Sequence, residues 1–178
     1  MHSYVDLELG ANAQDEFTRL LIHPAGATRQ EDMHDHWDVK GVFPPLSWHT
    51  LTFDVKDNLD RSHQAFPVEL RNVHGDTGWL YGRADCIAFH HPTSFTVVRR
   101  LDLVDLVEGL MAEHGVKEQS YVTDKREWAV LGNGHPKHQV YRRVGPGYHR
   151  DDRVVMVHKN DMWNVSSSRP RKKQPMEL

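Results

Sequence analysis

The sequence predicts an α/β (α+β) domain in which helices flank a mixed central sheet. Short β-branched and aromatic runs such as "SFTVVRR" (94–100) are bounded by Pro, Gly and Asp, as strands are. In "LDLVDLVEGLMAEHG" (101–115), Leu103, Leu106, Val107 and Leu110 fall on one helical face, and Gly115 stands beyond the end. The two patterns interleave along the chain rather than segregating, which implies helices packed on a sheet.

In chain order, "NAQDEFTRLLIHPAG" (12–26) reads as a first helix. Phe17, Leu20 and Leu21 lie at helical spacing, Asn12 can cap it, and Pro24 and Gly26 stop it. The polar "ATRQEDMHDH" (27–36) reads as a loop. "WDVKGVF" (37–43) and "WHTLTFDVK" (48–56) read as two strands joined through Pro44-Pro45. "AFPVELRNV" (65–73) is a third strand, "HGDTG" a turn into "WLYG", and "RADCIAFHH" (83–91) a short helix before the strand at 94–100. "HQVYRRVGPGYHRDDRVVMVHKNDMWNV" (138–165) predicts a C-terminal β-hairpin extension, and "SSSRPRKKQPMEL" (166–178) a flexible basic tail. The division expected is one domain, 1–165, with its core at about 12–115, an extension at 116–165, and the tail.

Composition narrows the function classes. The 178 residues suit one domain. A net charge of −3 gives no global basic field, so contact with nucleic acid needs a local patch. A single cysteine, Cys86, excludes an internal disulfide framework and suits a reducing, cytoplasmic setting. Signal-peptide and membrane-span patterns are absent, so no membrane partner is expected. The 14 histidines are scattered, which favours solvated side chains over one zinc centre.

The tripeptide Asp-Val-Lys occurs twice, at 38–40 and 54–56. On a strand, residues two apart share a face, so Asp54 and Lys56 project together and Val55 points away. A carboxylate so placed can bind a hard divalent cation, and Asp38, at the start of the preceding strand, can be a second ligand, with water and phosphate oxygens filling the rest. Lysine beside such a cation can orient or deprotonate a water, or neutralise charge on a phosphate. That chemistry suits hydrolysis of a phosphodiester.

The ordered context "HDHWDV", "TFDVKD", "FPVELRNVHGDTGWLYGRADCIAFH" and "SFTVVRRLDLVDLV" resembles the PD-(D/E)XK nuclease superfamily. Within it, the likeness is to small phage and bacterial endonuclease-like proteins related to Holliday-junction resolvases. The resemblance covers roughly residues 12–110 and implies a restriction-endonuclease-like fold. It implies an endodeoxyribonuclease using Mg2+, or Mn2+ in its place, with DNA as partner, branched or junction DNA among the substrates, and a homodimer suited to paired cuts. By position, Asp38 is the motif's first acid and metal ligand. Asp54 and Lys56 form its second half, with Asp54 the other ligand. Glu16 matches the acid often supplied by the first helix, with Asp15 as rival, and Glu69 is a further acid from the third strand. Two departures stand out: Trp37 replaces the usual Pro, and Asp54 replaces the common Glu, shortening the metal-binding arm by one methylene.

Lys40 is then a solvated lysine or phosphate contact. Arg71, Arg99, Arg100, Arg142, Arg143, Arg150, Arg171, Lys172 and Lys173 are candidates for salt-sensitive backbone contacts that position DNA without reading its sequence. His34 and His36 read as loop residues, Trp79 as core with glycines shaping its turn, Asp85 as a helix-start acid, and Cys86 as buried and inert. Two rival functions remain: a catalytically inactive nuclease-fold protein that binds nucleic acid, and a His-rich metalloenzyme of another class.

Overall fold

Strand β3, Thr50–Asp57, organises the molecule because it is hydrogen-bonded on both edges. The computed structural model describes residues 12–57, 65–72, 74–91, 93–113, 129–130, 138–142 and 153–165. Helix α1 (12–18) precedes β1 (Ile22–Gly26), α2 (Arg29–Asp35), β2 (Val39–Val42) and β3. Then come β4 (Ala65–Arg71), a 3-10 turn (Trp79–Tyr81), β5 (Cys86–His91), β6 (Ser94–Arg99) and α3 (Arg100–Glu113). β7 (Ala129–Val130), β8 (His138–Arg142), β9 (Arg153–His158) and α4 (Lys159–Val165) complete the described elements.

The central sheet has five strands in the order β1-β2-β3-β5-β6 and is mixed: β3 and β5 run parallel, and the other neighbours are antiparallel. The fold class read from the sequence is therefore the observed one. A second, antiparallel sheet has the order β4-β9-β8-β7. The third strand of the sequence reading belongs to this second sheet, because β9 takes its edge. The expected C-terminal pair of strands is present as β8 and β9, and β9 ties it into the body of the protein.

Edge strand β1 is exposed, while the middle strands of the central sheet are buried on both faces. On one, Ala13 and Phe17 of α1 pack with Val39, Phe53, Val55, Cys86, Ala88 and Val97. Phe17 is fully buried, its ring 5.0 Å from both Phe53 and Phe95, and truncation of such a residue costs about 3–5 kcal/mol. On the other face, Ile87, Phe89 and Val98 meet Phe66, Val68 and Leu70 of β4, Val155 and Val157 of β9, Leu103 and Val107 of α3, and Met162 of α4. No helix among the described residues is long and apolar enough to cross a membrane.

Three local readings are corrected. Residues 83–91 are not a helix: Cys86–His91 is strand β5, paired with β3 and β6. Its apolar run "CIAF" lacks alternation because both faces are buried, and such a run looks alike in a core helix and a central strand. Residues 27–36 are not all loop, since α2 lies within them. Thr28 and Glu31 form a capping box: the Glu31 amide donates to Thr28 Oγ1 at 3.3 Å and the Thr28 amide to Glu31 Oε2 at 2.8 Å. The first helix ends at residue 18, and Ile22, expected near its end, begins β1.

Candidate active site

Alternation along β3 sends Phe53 and Val55 to the α1 face and Asp54 and Lys56 to the opposite one. Asp38 immediately precedes β2 and continues its pairing with β3 by other means. The Asp38 amide donates to the Phe53 carbonyl at 2.8 Å, and its carboxylate Oδ2 accepts the Val55 amide at 2.6 Å. Its own carbonyl accepts from Ala27 N at 2.8 Å and from Gln14 Nε2 at 3.3 Å. Asp38 is thus fixed from α1, from the start of the α2 segment and from β3.

Among the described residues Asp54 is the one acid that is buried, its side chain 2% exposed. Oδ1 lies 2.6 Å from Lys56 Nζ, while Oδ2 has no hydrogen-bond partner among the described residues. Burial raises its pKa to about 7; Lys56 opposes this, and the adjacent Asp38 carboxylate adds to it. Lys56 is pulled down by burial but more strongly up by Asp54 and Asp38, with Glu69 contributing, so its net shift is upward and it stays an ammonium. Its Nζ also sits 5.4 Å from the centre of the Trp79 ring.

Sequence reasoning had Trp79 as core with glycines shaping its turn, and the structure gives the reason for both glycines. A Cβ on Gly78 would stand 2.5 Å from the Glu69 carbonyl oxygen, and one on Gly82 would stand 2.7 Å from His36 Cβ. The glycines thus let the turn approach β4 at one end and the close of α2 at the other, placing Trp79 over Lys56. His36 ends α2 in the left-handed region at φ 54°, and burial, then Lys56, lower its pKa. Its proximity to the site was not legible from H-x-H spacing.

The structure brings Asp38, Asp54 and Lys56 together and sets Glu69 within electrostatic reach of Lys56. It does not bring Glu16. That carboxylate lies on the α1 face, where Oε2 is 3.1 Å from His90 Nε2, and His90 Nδ1 is 3.3 Å from Asp57 Oδ1. The sequence hides this trio, because an apolar run that reads as helix conceals the register of His90 opposite Asp57. Asp85, expected to start that helix, instead accepts from the amide and hydroxyl of Thr52 at 2.8 and 2.9 Å.

The basic candidates divide. Lys40 lies on β2 with its Nζ 5.5 Å from the Trp37 ring centre. Arg100 is occupied internally, donating to the carbonyls of Ala84 (2.7 Å) and Leu80 (3.3 Å), so it braces α3 against the 3-10 turn. Arg99 ends β6 and Arg71 ends β4, both half-buried. Arg142 ends β8. Arg143, Arg150, Arg171, Lys172 and Lys173 lie outside the described residues, as does the 166–178 tail.

A buried carboxylate paired with a partly exposed ammonium gains little net stability, since desolvating the carboxylate offsets much of their attraction. A second carboxylate beside the pair makes it costlier still. Such shifted groups cluster at functional sites. No group of three or more His, Cys, Asp or Glu side chains among the described residues is arranged to hold a metal, so the Asp38–Asp54 pair is the donor set to weigh. Scans of protein-family models, of curated proteins and of solved structures find no match to this chain.

Proposed function

We propose that this protein is a metal-dependent endodeoxyribonuclease of the PD-(D/E)XK type. The observation that carries the reading is the convergence of Asp38 with Asp54 and Lys56 of β3, with one Asp54 oxygen lacking a hydrogen-bond donor among the described residues. Two adjacent carboxylates fit Mg2+, which keeps several waters and takes only one or two protein carboxylates, and Mn2+ suits the same oxygen donors. Asp38 and Asp54 would hold it. A cation so held supplies polarisation of the scissile phosphoryl oxygen and acidification of a water.

Lys56, kept charged by its two carboxylate neighbours, serves as a donor that orients the attacking water or neutralises charge on the phosphate. Trp79 restricts where that ammonium can sit. Glu69 is the acid placed to take part from β4. Branched or junction DNA, cut by a homodimer, is the substrate that the sequence resemblance favours.

The test is incubation with linear duplex, single-stranded, flapped and four-way-junction DNA, in Mg2+ or in chelator. Metal-dependent cleavage is expected, and no cleavage of any substrate overturns the proposal. One observation favours a second reading, a nucleic-acid-binding protein without activity: Asp54 is nearly sealed from solvent and Lys56 already takes one of its oxygens. That reading predicts binding without cleavage. The clustering of two aspartates and a lysine weighs against a His-rich metalloenzyme of another class.

A further inference from the structure

A cleft of about 310 Å3 is lined by Leu70 and Arg71 of β4, Thr77, Tyr81 of the 3-10 turn and Met111 of α3. We infer that this cleft is a subsite for one nucleotide, with Arg71 and Thr77 on its phosphate and Tyr81 and Met111 against its base. The assignment rests on the nuclease reading for its biological purpose, but the chemistry of the cleft stands by itself.

Its lining is of two kinds. Arg71 and Thr77 are opposed in an isolated antiparallel bridge, so their side chains leave the backbone on the same side and both line the cleft. The second kind, Tyr81 and Met111, comes from the 3-10 turn and from α3. Tyr81 is 40% exposed and its hydroxyl is hydrogen-bonded to Glu108, which fixes the ring while leaving apolar surface open. Met111 adds a polarisable thioether that packs well on aromatic rings. A cation with a hydroxyl for the phosphate and an exposed aromatic ring for the base are the two kinds of group a nucleotide needs. The volume lies at the small end of ligand sites, which suits one unit rather than a strand segment.

The cleft is also joined to the candidate active site. Trp79 and Tyr81 are two residues apart on a 3-10 turn and project in different directions, one over Lys56 and the other into the cleft. Glu69 and Arg71 are likewise two apart on β4, and Gly78 is held against the backbone between them, with its amide donating to the Leu70 carbonyl at 2.9 Å. A nucleotide in the cleft would therefore flank the phosphate presented to Lys56.

The test is titration of the full chain with adenosine 5′-monophosphate, adenosine or inorganic phosphate, in chelator, followed by calorimetry. The monophosphate should bind at least tenfold more tightly than either fragment. Arg71→Ala should weaken it about tenfold while Arg71→Lys restores part of the loss, and Tyr81→Leu should abolish the preference over phosphate, each variant first shown folded by circular dichroism. Equal affinity for nucleotide and phosphate, or no loss in folded Tyr81→Leu, overturns the subsite. Because no metal or cleavage enters the measurement, binding without nuclease activity would remove the nuclease reading and leave the subsite. Cleavage without nucleotide binding would do the reverse.

Discussion

Lys56 Nζ lies 2.6 Å from Asp54 Oδ1, and the carboxylate it meets is almost sealed from water. The pair is adjacent in sequence terms, on one strand and two residues apart, yet its environment comes from three other segments: Asp38 before β2, Glu69 on β4 and Trp79 on the 3-10 turn.

The shift on Asp54 sets a pH dependence. Its folded pKa, about 7, stands above the ordinary 3.8, so the folded state holds a proton that the unfolded chain releases. The associated stability is fully present below pH ~4 and is lost as pH rises through about 7. In chelator, the wild type should therefore lose stability relative to Asp54→Asn over that window, by up to about 4 kcal/mol. Denaturant midpoints at several pH values check this, and parallel curves for the two proteins would refute it.

The doubled tripeptide yields an asymmetry. Lys56→Ala should reduce kcat/KM for DNA cleavage at least about 100-fold, within the range for a general acid–base or electrostatic group. Lys40→Ala, which removes an ammonium 5.5 Å from the Trp37 ring centre, should reduce it about threefold at most. Comparable losses would mean the two lysines share one role.

Gly78 should not tolerate a side chain. Its Cβ would meet backbone atoms at 2.5–2.8 Å, and backbone cannot swing aside as a flexible side chain does. Gly78→Ala should cost about 1–3 kcal/mol, the usual range for overpacking, and should displace Trp79 from Lys56. Thermal melting reads the first effect and Trp fluorescence the second. An unchanged melting curve would contradict the close approach.

Cys86 should be inert. Burial pushes its thiol up to about 12, and its side chain is fully buried in the core between the sheet and α1. Ellman's reagent at pH 8 should label it only after denaturant is added. Rapid labelling of the native protein would mean that the central strand opens.

Much of the site was legible because it rests on strand periodicity: once "TFDVK" is a strand, Asp54 and Lys56 must share a face. Asp38 was legible for a related reason, since a short hairpin brings the start of one strand opposite the later part of the next. Glu16 was misleading. It does lie on the first helix, but Phe17 draws α1 onto the face opposite Asp54, and no local pattern states which face a helix will cover. β5 and β4 were obscured differently. A strand buried on both faces has no alternation to display, and the partner of β4 lies far along the chain. The capping box "TRQE" was visible, yet α2 buries no residue, so the periodicity that finds most helices had nothing to register.

The pairing of β4 with β9 gives the protein an order of assembly. All five central strands and α3 leave the ribosome before β9, whereas β4, carrying Glu69 and Arg71, gains its strand partner only when Arg153–His158 emerges. The aspartate–lysine pair on β3 can therefore form early in synthesis, while the acid and arginine beside it await the last strand. A growing chain would carry Asp54 and Lys56 in place before Glu69 and the cleft residue Arg71.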